Sequence, residues 1–575
     1  MKILTITLLF IHLFYCVSCN EKGKTNESEQ AKKILTKEET KPLIALCQLW
    51  GFLKYHHPEV ASGGYDWDME LIKLISPVRE SKNETEWKKL LDNWVNSLPA
   101  VAENTNKKIP DLEAKTKPDY GELFNADYFN PETIEKVKYI LNNAVVLSSH
   151  YINVEKSGGQ LSITNETSYD TMLFPDMAYR LLALFRYWNI VNYYFPYRDL
   201  CDQKWSEVLA DMLPDFIIAG DQEEYIFACL KLAVKIDDSH GFFVPGSIIY
   251  YMKEGLLKVP FETQFLEEKL VVTMFTGEDA YVKENIKIGD VILAIDGELV
   301  DDIVERMLPY TPASNYAVKL RDISAKILKG NLNTVTLKVM RDDTCFDINV
   351  TRYDVHQLKI PNYFNPQPEK EGYRILDNNI GYVLPSSCKA EERYNGIKKV
   401  LSGTKGIIID MRCYPGDYIS IHFLKYLDCT SMMFSLVSYA DTSYPGYFFI
   451  QKFPEHLNRD QQNIYKNKIV VIVNEYTQSS AEDNVLGFQL APNVVVIGST
   501  TAAADGKVAN FSIPGGIKTY MTGLGVYYPD GNDLQRVGVK IDEVIKPTIS
   551  GVRASKDELL ERAIEIIEEE SERKI

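Results

Sequence analysis

The stretch KIVVIVNEYTQSSAEDNVLGFQL, residues 468–490, joins a continuous apolar run to a run that can form a helix. Continuous apolar residues are typical of a strand buried on both faces, so Ser479 and Ser480 are predicted to lie where a strand passes into a helix. A serine there gains from the positive end of the helix dipole and from free N–H groups. The same residues also fit a simple helix cap, with Glu482 completing a capping box.

Similar apolar runs surround this stretch. NIGYVLPS (379–386), GIIIDMR (406–412) and NVVVIGS (493–499) alternate with helix-compatible segments, and the chain ends in an amphipathic run, SKDELLERAIEIIEEESERK. Strands alternating with helices indicate an α/β unit. We therefore predict an α/β core over residues 360–575.

The composition is that of a soluble globular protein with several domains. Its 575 residues are 45% hydrophobic and 25% charged. The formal charge of -17 argues against general binding to nucleic acid, because no basic surface offsets the phosphates. The scattered cysteines and histidines lack metal-ligand spacing, so neither a metal nor a cofactor is expected.

The N-terminus, MKILTITLLFIHLFYCVSCNEKG, has the layout of a secretory signal. We expect residues 1–18 to be a signal peptide and residues 19–40 a polar tether. Cys19 resembles the lipidated cysteine of a bacterial lipobox, although Cys16 stands where leucine is usual. Plain cleavage or an uncleaved anchor are the alternatives.

Residues 41–250 are predicted to be helical and contain a repeat. Trp50, Pro58 and Trp67 recur as Trp188, Pro196 and Trp205, with spacings of eight and nine residues in both copies. The repeat indicates duplicated helical hairpins packed on aromatic side chains. The adjacent pair His56–His57 would point about 100° apart on a helix, which does not suit one metal ion.

Residues 255–353 are predicted to form a β-rich unit. VKENIKIGDVILAIDGELV resembles the signature of a PDZ domain, in which a Gly-Asp turn precedes a buried strand. Such domains bind extended peptides by adding a strand to a sheet edge. A rigid spacer without a ligand is the alternative.

Several segments together resemble the tail-specific (C-terminal processing) serine protease family. They are GTKGIIIDMRCYPGD, NEYTQSSAED, TGLGVYYPDGNDLQRVGVKIDEVIKP and the PDZ-like segment, and the resemblance covers roughly residues 180–570. The family includes the tricorn core and retinoid-binding-protein modules. It implies a multidomain α+β protein: a helical N-terminal domain, a PDZ-like domain and an α/β (crotonase-like, ββα) serine protease core.

The family pattern, laid on TQSSAE, makes Ser479 the nucleophile and Glu482 the closing acid. Ala481 stands where the family usually has a third serine. The resemblance implies that backbone N–H groups of Ser480 and Gly416 form the oxyanion hole.

The resemblance offers two candidates for the base. In the tricorn-like branch a Ser-His pair precedes the PDZ domain, and KIDDSHGFF has Ser239–His240 there. The supporting acid is replaced by Gln535, with Asp533 as a nearby substitute. The other branch uses a lysine, and Lys507 is the candidate, although a lysine base needs burial to lower its pKa. A chain with no competent base is the third alternative.

The resemblance implies a serine endopeptidase, and the signal-like N-terminus with the lipobox-like Cys19 predicts that it is secreted and lipid-anchored at the bacterial cell envelope, in the periplasm or on the outer-membrane surface. Its partners would be peptide or unfolded protein substrates, with no nucleic acid and with membrane contact through the lipid anchor only; the oligomeric state stays open. The alternative from another class is a non-catalytic ligand- or peptide-binding envelope protein on the same scaffold.

Overall fold

A computed structural model describes residues 36–364, 372–388, 397–399, 401–424, 426–429, 433–451 and 464–573. The predicted signal peptide, Cys19 and nearly all of the predicted tether lie outside these residues. Within the described ranges, no helix combines the length and apolar character needed to cross a membrane.

The first part of the chain is helical, and its helices begin at capping side chains such as Asp66, Asn83 and Asp176. The helices span Lys37–His56, Pro58–Ala61, Trp67–Arg79, Glu84–Ser97, Pro131–Asn143, Met177–Tyr194, Trp205–Ile218 and Gln222–Val234.

Both copies of the sequence repeat have the same tertiary contact. The indole N–H of Trp50 donates to the carbonyl of Trp67 (3.0 Å), and that of Trp67 donates back to Trp50 (3.1 Å). Trp188 and Trp205 form the same reciprocal pair at 3.0 Å in each direction. The equal spacing in sequence therefore corresponds to two equivalent helix pairs, each joined by buried indoles.

A β-rich unit follows, in which an antiparallel sheet packs on short helices. Its first and last strands, Leu257–Lys258 and Tyr353–Asp354, pair with each other, so the two ends of the unit meet. The sheet strands are Phe261–Leu266, Lys269–Phe275, Val291–Ile295, Glu298–Leu299, Thr334–Arg341 and Thr344–Thr351; the helices are Ile248–Glu254, which precedes the unit, Ala280–Asn285, Val300–Met307 and Tyr316–Ser324.

The last part of the chain is built on a mostly parallel sheet. Its strands, in spatial order, are Tyr373–Ile375, Gly381–Val383, Gly406–Asp410, Lys468–Val473, Val494–Gly498 and Glu543–Val544, and only the first runs antiparallel to its neighbour. The helices are Ile419–Leu424, Ser480–Phe488, Ile549–Arg553 and Glu558–Arg573.

The strand Lys468–Val473 is buried on both faces, which explains its continuous apolar sequence. Ile469, Val471 and Val473 pack with the helix Ser480–Phe488, whereas Val470 and Ile472 pack with the closing helix Glu558–Arg573.

Smaller sheets connect the helical part to the α/β part. One contains Ala114–Thr116, Phe448–Gln451, Leu436–Ala440 and Leu524–Tyr527; another contains Val508–Ile513, Ile517–Thr522 and Phe243–Val244; Ile152–Val154 pairs with Leu161–Ile163. The pairing of Phe243 with Thr519 brings the chain just after His240 onto the α/β part.

Candidate functional site

Ser479 lies on a strained turn between the central strand and the helix Ser480–Phe488. Its backbone has φ 58° and ψ -124°, which is rare for a residue other than glycine. An ordinary N-cap has extended backbone, as Asn83 (φ -157°) and Asp221 (φ -149°) have here. Ser479 therefore differs from a simple cap, although it occupies the N-cap position.

Buried hydrogen bonds hold this turn. The hydroxyl of Thr477 donates to the carbonyl of Met411 (2.8 Å), at the end of the neighbouring strand. The N–H of Ser479 donates to the carbonyl of Ala504 (2.9 Å) and lies 3.2 Å from a carboxylate oxygen of Glu482. The surrounding structure can therefore maintain the unfavourable backbone angles.

Glu482 anchors the segment 501–504 against the turn. Its buried carboxylate accepts hydrogen bonds from the Thr501 hydroxyl (2.5 Å) and from the N–H groups of Ala503 (2.9 Å) and Ala504 (3.0 Å). Burial raises the pKa of Glu482 to about 7, against the effect of these hydrogen bonds. This residue fixes the geometry around Ser479.

The segment 501–504 also contacts the Ser239–His240 pair. The carbonyl of Ala502 accepts the hydroxyl of Ser239 at 2.9 Å, and the N–H of Ala502 donates to Thr477 at 2.9 Å. In addition, the side-chain amide of Gln478 donates to the carbonyl of Ser239 (3.2 Å). The structure thus brings the Ser-His pair and the serine turn to the same place, from residues 239 positions apart.

The imidazole of His240 is buried and contacts Thr522. Its Nδ1 lies 2.9 Å from the Thr522 hydroxyl. Asp238 is fully buried beside it, and its carboxylate accepts the N–H groups of His240 (3.0 Å) and Thr522 (2.7 Å). Burial lowers the pKa of His240 below its usual 6.5, and the negative charge of Asp238 opposes that effect.

Ser239 and Gln535 lie next to this group but do not contact the ring nitrogen. Ser239 and Ser314 exchange hydrogen bonds between hydroxyl and backbone N–H (2.8 and 2.9 Å). The Gln535 amide donates to Asp238 (3.2 Å), and its oxygen is buried without a partner in the described part of the chain. Asp533, the proposed substitute acid, pairs with Lys115 instead (3.1 Å).

The two predicted oxyanion donors differ in their surroundings. Ser480 is the first residue of its helix, so its N–H has no carbonyl of the same helix to bond. The N–H of Gly416, in an exposed turn, donates to the carbonyl of Pro385 (3.0 Å). Only the Ser480 donor is available in this arrangement.

Lys507, the other candidate base, is exposed. Its ammonium group lies beside Gly158, where an added methyl group would come within 2.6 Å of Nζ. It is not buried, whereas a lysine base has to be buried or to lie beside another cation.

Sequence reasoning missed several residues of the site. Asp238 directly precedes Ser239–His240, so the DDSH run contained a usable signal, whereas nothing near Thr522 indicates its contact. Asp483 and Asp505 also lie near the turn, and burial raises both pKa values, that of Asp483 to about 7. No group of three or more His, Cys, Asp or Glu side chains in the described ranges is arranged to hold a metal ion.

Known proteins share this architecture. Residues 379–545 match the family model described as Peptidase family S41. The structure of a CPAF mutant is 13% identical to the chain. The match covers 68% of this chain and 98% of the mutant's, with a TM-score of 0.53. Mature CPAF complexed with lactacystin has the same identity and coverage, with a TM-score of 0.52. At such identity the likeness concerns the fold alone. None of the curated proteins matches the chain.

Proposed function

Because this chain contains a domain of peptidase family S41 and is a serine-type peptidase, we propose that it is an endopeptidase. In this proposal Ser479 is the nucleophile and His240 is its general base. The observation that carries the proposal is the strained strand-to-helix turn at Ser479. Such a turn exposes a serine hydroxyl at the top of a sheet, as in other serine hydrolases. A cap alone would not need a positive φ.

The proposed base works from its Nε2. If Nδ1 carries the ring proton and donates a hydrogen bond to the Thr522 hydroxyl, Nε2 keeps a lone pair. Nε2 can then accept the proton of the Ser479 hydroxyl. The lowered pKa of His240 keeps the ring neutral at pH 7. Asp238 then stabilises the imidazolium that forms as the proton moves, a role in which the carboxylate itself is not protonated.

The proposed reaction is acyl transfer. Ser479 Oγ forms a bond to the scissile carbonyl carbon while its proton passes to His240, and the N–H of Ser480 donates to the resulting oxyanion. His240 returns the proton to the leaving amine, and water hydrolyses the acyl-enzyme. For Gly416 to become the second donor, its hydrogen bond to Pro385 must break when substrate binds.

The finer predictions from the sequence extend this proposal. We infer that the α/β part has the crotonase-like ββα arrangement and that the β-rich unit of residues 255–353 is a PDZ-like domain that holds an extended peptide. The signal sequence and the lipobox-like Cys19 support secretion and lipid anchoring at the cell envelope. Substrates would then be extended or C-terminal segments of envelope proteins.

The proposal is tested by labelling with a fluorophosphonate probe, together with hydrolysis of a broad peptide panel. We expect wild type to be labelled and Ser479→Ala not to be. Ser480→Ala is the matched variant, because it removes the neighbouring hydroxyl and keeps the backbone N–H; it should still be labelled stoichiometrically. If wild type neither reacts nor hydrolyses any peptide, the chain is not a peptidase and the scaffold has a binding role.

A further inference from the structure

Among the many positions at which the two copies of the helical repeat differ, one lies at a cavity that the proposed peptidase does not use. In the register that matches Trp50 to Trp188, His56 corresponds to Tyr194. Tyr194 is buried and packs edge-on against Tyr55, with ring centres 5.0 Å apart. His56 instead lines a cavity. His56 is also buried and stacks on Phe52 with ring centres 4.4 Å apart, so the first copy has a packed imidazole at the wall of a cavity where the second has a packed phenol.

His56 is a neutral acceptor without a donor. Its Nδ1 lies 3.0 Å from the carbonyl of Phe52, which can only accept, so Nδ1 carries the proton and Nε2 a lone pair. Burial lowers the pKa of His56 to about 3, which keeps the ring neutral. Nε2 is buried and has no hydrogen-bond partner among the residues that the structure describes. Such unpaired buried groups are uncommon and costly.

The same cavity contains a cation without a counter-ion. Lys107 is half-buried, donates to the carbonyl of Leu141 (2.7 Å), and lies 5.9 Å from the ring centre of Tyr444. No carboxylate of the described ranges lies within ion-pair distance of it, and burial lowers its pKa. An anionic group in the cavity would offset this desolvated charge.

Aromatic rings form the remaining walls. Tyr120 meets His56 edge-on at 6.0 Å; burial, and to a smaller extent the nearby phenol of Tyr447, raises the pKa of Tyr120. Neither phenol has a hydrogen-bond partner in the described part of the chain. The cavity has a volume of about 400 Å³, within the range of small-molecule sites. Its lining includes His56, Lys107, Tyr120, Tyr444 and Tyr447.

We propose that this cavity binds a small planar aromatic carboxylate that carries a hydrogen-bond donor. Its carboxylate would pair with Lys107, its ring would pack between Tyr120 and Tyr444, and its donor would bond to the phenol oxygen of Tyr447. This site goes beyond the proposed peptidase activity, because no residue of the serine turn or of the His240 group takes part in it.

The test is isothermal titration of the full chain with 4-hydroxybenzoate, with benzoate and 4-hydroxybenzyl alcohol as comparators. We expect saturable binding of 4-hydroxybenzoate, with binding of the alcohol weaker by roughly tenfold or more because it lacks the charge. Lys107→Met, which keeps the aliphatic stem, should cause a similar loss. Lys138→Met removes an exposed positive charge outside the cavity and should change the affinity less than about twofold.

Two further results decide the proposal. Tyr447→Phe removes one phenol hydroxyl and should weaken binding severalfold, which keeps the test valid if Lys107→Met does not fold by circular dichroism. The proposal is overturned if 4-hydroxybenzoate shows no saturable binding, or if folded Lys107→Met binds it as wild type does. Because titration does not depend on catalysis, neither result bears on the peptidase.

Discussion

Asp238→Asn is the substitution that tests the proposed base most directly. Asp238 does not hydrogen-bond to the imidazole, so asparagine leaves the contact between His240 and the Thr522 hydroxyl in place. It removes the charge and replaces one of the two acceptor oxygens, which face the N–H groups of His240 and Thr522, with an N–H₂ donor. A carboxylate this close to a histidine is worth about one to two pKa units, and each unit is about 1.4 kcal/mol. We therefore expect the reaction of Ser479 to slow by roughly 10- to 100-fold.

The direction of the pH effect distinguishes a charge effect from a structural one. The negative charge of Asp238 raises the pKa of His240 against the lowering effect of burial. Without it the pKa falls further below 6.5, so the acid limb of the rate profile moves to lower pH by about one to two units. A variant in which only the geometry of the site is disturbed, and the pKa of His240 is not, would react more slowly without a shift of the acid limb.

The assay is the second-order rate of fluorophosphonate labelling between pH 5 and 9, with urea unfolding of each variant. Asp237→Asn is the matched control, because Asp237 faces the N–H of Asp202 (2.8 Å) and not His240, and asparagine tolerates its φ of 49°. Its profile should match wild type. An Asp238→Asn variant with wild-type rate and an unmoved acid limb would refute the assignment of the charge.

Three further outcomes are expected. Thr522→Val should slow labelling about tenfold by releasing His240, and Thr522→Ser should restore most of the rate, since the hydroxyl is what differs. Lys507→Met should label within about twofold of wild type, because the lysine is exposed; a loss of a hundredfold would favour lysine as the base. Gln535→Glu should lower the urea midpoint, since it adds a carboxylate beside Asp238.

The strand-to-helix junction at Ser479 could be predicted because its signals are local. The apolar run 468–473 and the Ser-Glu spacing are both visible in one short segment. The repeat could be predicted for the same reason, because the two tryptophans of each copy are equally spaced in sequence. In the structure each of these pairs forms reciprocal indole hydrogen bonds. The positive φ at Ser479 was not visible, because it depends on the carbonyl of Ala504 and on Glu482 within the folded turn.

The surroundings of His240 could not be predicted because they depend on strand register. Thr522 is 282 residues from His240, and only the pairing of Phe243 with Thr519 brings it to the ring. A shift of one residue in that pairing would turn the Thr522 side chain to the other face of the strand. The exposure of Lys507 likewise follows from the sheet that begins at the next residue.

Position 535 holds a glutamine where the family pattern has an acid, and the negative charge of the site is instead on the neighbouring Asp238. The Gln535 amide donates to the carboxylate of Asp238 at 3.2 Å, so glutamine supports the buried charge that a glutamate there would repel. The residue that departs from the family's pattern and the carboxylate that sequence reasoning missed are therefore in direct contact. A glutamine at 535 is expected wherever position 238 holds the charge, because two unpaired carboxylates at this distance cannot both remain ionised in a buried site.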